Sequence, residues 1–523
     1  MNRLPSLMLT RWEAVRLLGP SDIGSPFSYF KEYGRRQQIG VGAEAPSKSK
    51  VDTMPKTRAQ QIMAHKEHRD ADQITAAIQD IAAEFEPYII KQRRHFHKHP
   101  ELSLQEVRTT SDIAGQLDAM NIPYEQPLET GLVATLRGTA PDAYREDGTP
   151  RRRLLMRADI DALPVTERTD DEFASVNEGC MHACGHDCHI AMMLGALQVL
   201  RHMTDDIHGE IRVVFQPSEE NGSGGRMMCE AGVCEGVDGA FAMHIWSEVD
   251  AGTISCEPGP RMANTDWFRV DVHGTSCHGA MPQRGSDAVM VAAEIVNALQ
   301  TIREPRALPY EPAVVTVGKL HAGSARNVIA GEARMEGTVR TYSTATHELM
   351  PALIERIAVH IAQAHGAEAE LSDYTIANYK VENEPVASER CRQAVLKTLG
   401  SEGVGSYRGT MSGEDFSEYL RRVPGVLAFV GCRNPQIGAT FAQHSMLLQG
   451  RRVGSRQGLH GRCSIRHRLP VRAHARGAGR TARNACGRNE PAARRDAARR
   501  AQQDGRRAQR LAGRTRGPSR RRT

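Results

Sequence analysis

The chain lacks any uninterrupted apolar run of about 18 residues, the length that a membrane-spanning helix needs, so no such helix is predicted. Near its start, charges at Arg3, Arg11, Glu13 and Arg16 interrupt every apolar stretch, which argues against a secretory signal. The 11 cysteines are odd in number and lack the spacing of a small disulfide scaffold. We therefore expect reduced thiols and a cytoplasmic protein.

Lysine and acidic side chains are scarce after Ser445, where the composition changes abruptly. Residues 446–523 contain 23 arginines, no lysine and three acidic residues, whereas residues 1–445 carry a net charge of −14. One interpretation is a basic, disordered tail that binds nucleic acid or acidic surfaces. The other is translation of a GC-rich gene in a shifted reading frame. We favour the second because the tail lacks the interspersed aromatic residues of nucleic-acid binders, so nucleic acid is not an expected partner.

Sustained apolar periodicity is also absent from residues 1–70, which we predict to be a poorly ordered extension. Beyond them, short apolar strands alternate with helical segments, which predicts an α/β fold with a mixed, partly parallel sheet flanked by helices. The strands are predicted at 132–136, 154–158, 211–215 and 239–245, and the helices at 74–94 and 189–202. A strand-helix-strand-strand-helix order within 263–373 predicts a small α+β domain inserted into a larger one, which would comprise 71–262 and 374–445.

Possible metal ligands are concentrated in nine residues, 181–189, which read Met-His-Ala-Cys-Gly-His-Asp-Cys-His. Cys184 and His186 are separated by a glycine, so both side chains can face one ion. A core histidine or a buried structural cysteine would be the better interpretation of any one residue alone. The cluster as a whole predicts a metal site, because thiolate and imidazole ligands gather in this way.

Acidic residues and a histidine follow or lie within the apolar strands. Asp159 and Asp161 come at the end of one strand, where open α/β sheets bind their ligands, although a pair of turn aspartates is the plainer alternative. Glu219 and Glu220 follow another strand and precede a Gly-rich segment that we expect to be flexible, although such a pair alone is more often a surface feature. His244 lies within a third strand, where a buried imidazole needs a partner, either a metal or a backbone group.

A second histidine cluster occurs at 95–103, which reads His-Phe-His-Lys-His-Pro-Glu-Leu-Ser. Its last histidine, His99, precedes Pro100 and a predicted turn. We favour a structural or substrate-rim role for this segment over a second metal site.

Taken together, the motifs resemble the amidohydrolases of the metallo-aminoacylase/carboxypeptidase superfamily, in particular hippurate hydrolase and the indole-acetyl-amino-acid hydrolases. The resemblance runs from about residue 75 to 445, and its most specific part is the metal loop. The motifs that carry it are Arg-Ala-Asp-Ile-Asp-Ala-Leu-Pro (157–164), the loop at 181–189, Gln-Pro-Ser-Glu-Glu (216–220) and Met-Ser-Gly-Glu-Asp-Phe (411–416).

The resemblance implies a two-metal site in the larger domain and an inserted lid domain that also forms a dimer interface. A homodimer or homotetramer is therefore expected. The implied metal ligands are Cys184, His186, Glu220, His244 and His444. The implied catalytic residues are Glu219 as general base, Asp161 as the residue that orients the site, and His278, which would polarise the scissile carbonyl in the partner subunit's site. Asn327 and Arg340 are implied to lie near the substrate, and the planar fork of Arg340 suits a carboxylate.

The activity that the resemblance implies is metal-dependent hydrolysis of the amide bond of N-acyl amino acids. The ligand types suit Mn²⁺ or Zn²⁺, and they are also compatible with Co²⁺ or Ni²⁺. Deacetylation of N-acetyl-diamino acids and dipeptide hydrolysis remain alternatives within the enzyme class. A further alternative is an inactive metal-binding member, because the sequence departs from the family's pattern directly after Ser445.

Overall fold

The computed structural model describes residues 69–302, 312–437, 439–440 and 443–445. The extension predicted at 1–70 lies outside the described residues except for its last two, and the predicted Arg-rich tail lies wholly outside them. The helices in the described part of the chain include none that is both long and apolar enough to cross a membrane.

The larger of two main sheets has seven strands and mixed direction. Its strands are β1 (Tyr124–Glu125), β2 (Leu132–Arg137), β3 (Arg153–Asp159), β4 (Glu210–Gln216), β5 (Gly239–Asp250), β6 (Ile254–Ser255) and β15 (Gly425–Arg433), in the spatial order β1-β2-β4-β3-β5-β15-β6. The four central strands are parallel, and β1, β2 and β6 pair antiparallel to their neighbours. The predicted mixed, partly parallel sheet is therefore confirmed.

Helices flank this sheet. They are α1 (Ala71–Lys98), α2 (Val107–Met120), α3 (His186–Leu200), α4 (Gly224–Glu230), α7 (Pro385–Leu399) and α8 (Ser417–Leu420). The first helix begins where Asp70 and Gln73 form a reciprocal capping box, which pairs the free N–H groups of its first turn. Apolar residues of α2 and α3 then pack on β2, β3 and β4 to form the main core.

A second, four-stranded antiparallel sheet belongs to a segment that leaves the larger sheet and returns to it. Its strands are β8 (Asn264–His273), β10 (Ala313–Ala322), β12 (Glu332–Thr341) and β13 (Glu368–Asn378), in the order β10-β12-β8-β13. Two helices, α5 (Ala288–Leu299) and α6 (Thr344–Ala364), cover one face and share a separate core with it. The predicted inserted α+β unit is confirmed in its architecture.

Short ladders complete the chain. The strands β7 (Gly259–Met262) and β14 (Val381–Asn383) pair with each other at the point where the chain enters and leaves the inserted unit. Within that unit, β9 (Cys277–His278) pairs with β11 (Val328–Ile329). The predicted return to the larger domain at 374 falls inside β13, which stays paired with β8 up to Asn378. The second sheet therefore runs further along the chain than the predicted bound at 373.

Candidate metal centre

The side chains singled out in the sequence converge at the carboxyl ends of the central parallel strands. Asp159 is the last residue of β3, and Glu219 and Glu220 follow the end of β4. His244 lies within β5, which runs beside β3. In open α/β sheets this edge is where ligands bind, because several strand ends present side chains to one crevice.

The loop before α3 brings Cys184 into this crevice, and the first residue of α3 is His186. Gly185 between them has a φ of +99°, a left-handed conformation that glycine adopts without strain. A Cβ atom at this position would also lie 2.3 Å from the side chain of Ile245. The glycine in the motif is therefore required by both the turn and its close packing on β5.

His186 and His244 each present one ring nitrogen to the crevice, because a backbone carbonyl occupies the other. Nδ1 of His186 lies 2.9 Å from the carbonyl oxygen of Asp161, and Nδ1 of His244 lies 2.7 Å from that of Ile245. A carbonyl oxygen can only accept, so Nδ1 carries the proton in both rings and Nε2 stays available as a ligand. Nε2 of His244 lies 3.5 Å from the sulfur of Cys184.

His189, the third imidazole of the loop, is fully engaged in hydrogen bonds. The backbone N–H of Ile245 donates to its Nε2 at 2.9 Å, and its Nδ1 donates to Asp159 at 2.5 Å. This arrangement leaves no lone pair for a metal. Both aspartates lie near His186: Oδ1 of Asp161 is 3.2 Å from its Nδ1, and Oδ2 of Asp159 is 3.6 Å from its Nε2. Asp159 also contacts His189 and Arg157.

The two glutamates and His444 complete the group of donors. His186 Nε2 lies 3.9 Å from a carboxylate oxygen of Glu219 and 3.8 Å from one of Glu220. His444 Nε2 lies 3.8 Å from the other oxygen of Glu220. The position of His444 is fixed by its backbone N–H, which donates to the carbonyl of Ala183 at 2.8 Å.

These donors fit divalent metal ions. Five sets of donors in the described part of the chain have ligand atoms within 4.8 Å of one another, and three of them combine only Glu219 and the implied ligands: Cys184, His186 and His244; Cys184, Glu220 and His444; and His186, Glu219 and Glu220. Nε2 of His186 and Oε1 of Glu220 are buried and have no hydrogen-bond partner in the described part of the chain, as expected of atoms that ligate an ion. Together these overlapping sets supply thiolate, imidazole and carboxylate donors, which suit two divalent metals.

The electrostatics of the crevice support the same conclusion. Burial and the nearby carboxylates of Glu220 and Glu219 raise the pKa of the Cys184 thiol well above its usual range. Burial and the charge of Glu414 raise the pKa of Glu219 well above its usual range, and burial raises the pKa of Glu220 to about 7. Bound cations reverse such shifts, because they stabilise the thiolate and the carboxylates.

Arg340 faces the crevice from the inserted unit. It lies on β12 directly opposite Thr265 of β8, whose hydroxyl accepts a hydrogen bond from its guanidinium. A cavity of about 530 Å³ lies between the two units, and its lining residues include Cys184, Glu219, Glu220, His244, Arg340 and His444. His186 and Asp161 lie buried behind this lining.

His278 and Asn327 do not line the cavity of their own chain. They lie together within the inserted unit, where the backbone N–H of Gly279 donates to the carbonyl of Asn327 at 2.8 Å. The roles that the family resemblance implies for these two residues therefore stay predictions.

Sequence reasoning assigned no role to the acidic pair Glu414 and Asp415, although it lies in a motif of the family. Both carboxylates are buried and contact Arg157, at 3.0 and 2.7 Å, and Asp415 also accepts from the backbone N–H of Gly225 at 2.7 Å. Oxygens of Glu414 and Asp415 lie within 4.8 Å of one of Glu219. The sequence feature that could have revealed a role is the pair of adjacent acidic residues itself, which follows a glycine and resembles the acidic pair at 219–220.

A family model described as Peptidase family M20/M25/M40 matches residues 155–446. The chain is 36% identical to thermostable carboxypeptidase 1 of Saccharolobus solfataricus, over 69% of this chain and 90% of the relative. It is 37% identical to the N-acyl-L-amino acid amidohydrolase of Geobacillus stearothermophilus, over 75% of this chain and 97% of the relative.

Among solved structures, the Bacillus subtilis YXEP protein, a dinuclear metal-binding peptidase, superimposes with a TM-score of 0.60. It is 32% identical in sequence, and the match covers 70% of this chain and 92% of that protein. These findings confirm the resemblance inferred from the sequence motifs. The chain belongs to peptidase family M20/M25/M40 and is a metal-dependent hydrolase.

Proposed function

We propose that this protein hydrolyses the amide bond between an acyl group and the nitrogen of an amino acid whose carboxylate is free. The observation that carries the proposal is the cavity that Arg340 and Glu219 both line. A guanidinium recognises a carboxylate through two parallel hydrogen bonds, and a carboxylate beside the metal donors can act as a base. The amidohydrolase and carboxypeptidase relatives support the same type of bond and substrate.

The proposed ligands are Cys184, His186, Glu220, His244 and His444, and the clustering of their donor atoms supports this assignment. When bound, two divalent metals lower the pKa of a water molecule and polarise an acyl carbonyl. Asp161 acts as a positioning residue, because its carbonyl and carboxylate oxygens fix the ring of His186.

Glu219 is the proposed general base and acid. Its carboxylate removes a proton from the attacking water and delivers it to the nitrogen of the leaving amino acid. Burial and the neighbouring acid Glu414 raise the pKa of Glu219, whereas bound cations would lower it, so the carboxylate can first take up and then release a proton. Its neighbour Glu220 stays committed to the metals.

We propose that the protein is a homodimer or homotetramer in which His278 and Asn327 act on the cavity of the partner subunit. Their position outside the cavity of their own chain is compatible with this assignment. The inserted unit would then serve as both lid and dimerisation domain.

The test is amine release from a panel of N-acyl amino acids, with protein reconstituted separately with Zn²⁺, Mn²⁺ and Co²⁺. The panel holds N-benzoyl, indole-acetyl and N-acetyl conjugates, an N-acetyl-diamino acid and a dipeptide, which ranks the finer alternatives. Glu219→Gln should lower kcat by about 10²- to 10⁴-fold with metal content unchanged, because it removes the proton carrier alone. Glu389→Gln, on the exposed face of α7, is the matched control and should behave like the parent chain.

Carboxylate recognition is tested with each substrate and its carboxamide analogue. Arg340→Ala should raise KM for the free acid and remove the preference of the parent chain for the acid over the amide. Full activity in Glu219→Gln would contradict the proposed base, and an unchanged acid preference in Arg340→Ala would contradict the proposed substrate contact.

A further inference from the structure

Glu106 follows the histidine-containing segment at 95–103, for which no chemical role has been assigned. It is the N-cap residue of α2, a position whose side chain usually accepts a hydrogen bond from the first turn of its own helix. Its side chain makes no such bond. It is fully buried and turns toward the end of β4, and the adjacent helix N-terminus favours a negative charge there.

Both oxygens of this carboxylate accept hydrogen bonds from buried groups. Oε1 accepts from the backbone N–H of Ser218 at 2.9 Å, across 112 positions of sequence. Oε2 accepts from the hydroxyl of Thr130, also at 2.9 Å. Ser218 and Thr130 are themselves buried, so water cannot replace the carboxylate as an acceptor.

Ser218 is the residue at which the chain turns from β4 into the catalytic acids. Its φ is +61°, in the left-handed region that residues with a side chain rarely adopt. Its carbonyl accepts from the N–H of Gly224 at 3.0 Å, and the carbonyl of Glu219 accepts from that of Gly222 at 2.7 Å. This turn directs Glu219 and Glu220 into the metal centre.

Ser103, at the end of the 95–103 segment, supports the turn at Glu220 through Asp161. The backbone N–H of Glu220 donates to Oδ2 of Asp161 at 3.0 Å. The hydroxyl of Ser103 donates to the same oxygen at 2.6 Å. Residues 103 and 106 therefore support the turn from both ends, through Asp161 at Glu220 and directly at Ser218.

We propose that Glu106 is a positioning residue for the metal centre, which holds Ser218 in its left-handed conformation so that Glu219 and Glu220 reach their working positions. The inference deepens the proposed function and rests on it for the role of Glu219. For Glu220, a proposed metal ligand, the inference predicts a loss of metal affinity in Glu106 variants whether or not the protein hydrolyses a substrate.

The test measures metal affinity by calorimetry with Mn²⁺ and Zn²⁺, alongside kcat and KM. Glu106→Ala should weaken metal binding and lower kcat, each by about 10- to 100-fold, as expected when a residue that orients a ligand is lost. Glu106→Gln keeps an acceptor for the N–H of Ser218 and should stay within about threefold of the parent chain. The matched control is Glu384→Ala, since Glu384 is the N-cap residue of α7 but accepts from the N–H of Ala387 in its own helix.

A double variant tests whether Glu106 acts through Ser218. Glycine adopts positive φ without strain, so Ser218→Gly should restore at least about threefold of the metal affinity lost in Glu106→Ala. If Glu106→Ala does not fold, Glu106→Asp replaces it, because the shortened acid cannot reach both partners and should also weaken metal binding.

Equal metal affinity in Glu106→Ala and Glu384→Ala would overturn the proposal, as would an unchanged affinity in Glu106→Asp if that variant is needed. Failure of Ser218→Gly to restore any affinity would overturn it too. A parent chain that binds metal tightly, loses affinity in Glu106→Ala and hydrolyses no substrate of the panel would support this inference and overturn the proposed function.

Discussion

At the scale of single residues, a buried charge cluster anchors the helix that carries His186. Asp187, the next residue, is fully buried, and its Oδ2 accepts from Nε of Arg93 and from Nδ1 of His97, both at 2.9 Å. The other ring nitrogen of His97 lies 3.2 Å from Glu167. His97 therefore has a structural role, which is one of the two roles, structural or substrate-rim, that we favoured for the segment from its sequence.

This cluster predicts a dependence of stability on pH. Burial and Arg93 lower the pKa of His97, but Asp187 and Glu167 outweigh them, so that the pKa is raised overall. The folded state therefore binds the proton more tightly than the unfolded chain, whose histidine titrates near about 6.5. The stabilisation by His97 is fully present below that pH and is lost as pH rises through the raised value.

The measurement is urea unfolding of the parent chain and His97→Gln between about pH 6 and pH 9. The parent chain should be more stable than the variant at the low end, and the difference should shrink as the pH rises. His360→Gln, on the exposed side of α6, serves as the control and should show no such trend. A difference that stays constant across the range would contradict the prediction.

At the scale of secondary-structure elements, the sequence pattern predicted strand bounds well where a strand is buried on both faces and therefore needs a continuous apolar run. The strands predicted at 154–158 and 211–215 are observed as β3 and β4 with one more residue at each end. The end of β13 could not be predicted, because exposed polar residues alternate along this edge strand up to Asn378. The sequence also could not predict which histidine of the metal loop accepts a backbone hydrogen bond, because the donor, Ile245, lies on a strand that is distant along the chain.

The Gly-rich segment after Glu220 corrects a sequence expectation. It was expected to be flexible, but Gly224 and Gly225 are buried and begin α4. A Cβ atom at Gly224 would lie 1.7 Å from the carbonyl oxygen of Pro217, and one at Gly225 would lie 2.4 Å from that of Asp415. The glycines are there for close packing, which periodicity alone does not reveal.

Gly225→Ala should therefore destabilise the fold by about 1–3 kcal/mol, as overpacked core positions do. Gly115→Ala is the matched control, because Gly115 lies within α2 and an added Cβ would meet no atom of the described residues within 4 Å beyond its own helix backbone and chain neighbours. That substitution should stabilise by about 0.5–1 kcal/mol, since alanine favours the helix. Chemical denaturation of both variants checks the prediction, and equal effects would contradict it.

At the scale of the whole molecule, the sequence predicted two units but not how they meet. The inserted unit was recognisable in the sequence because its order of strands and helices is complete in itself. In the structure, β7 and β14 pair where this unit joins the larger domain. The cavity between the units is lined by Arg340, which bonds to Thr265 within the inserted unit, and by His444, which bonds to Ala183 within the larger one. No local pattern encodes such contacts, and only the family resemblance pointed to Arg340 and His444.

The proposed metal ligands come from distant parts of the chain, so metal binding by them should stabilise the whole fold. Cys184 precedes α3, Glu220 follows β4, His244 lies in β5 and His444 follows β15. Ions held by all of them bind the folded state and not the separated strand ends, which adds about 2.7 kcal/mol at a free metal concentration of 100 times Kd. In thermal unfolding this corresponds to a rise in Tm of about 2–4 °C per kcal/mol.

The experiment compares Tm with excess chelator and with added Mn²⁺ or Zn²⁺. Cys184 belongs to two of the three sets that combine only Glu219 and the proposed ligands, so Cys184→Ala should remove most of the metal-dependent rise. Cys391→Ala, a half-buried thiol of α7 outside these sets, should keep the full rise. If Cys184→Ala also kept the full rise, metal would be binding elsewhere, and the strand-end crevice could not be the metal centre.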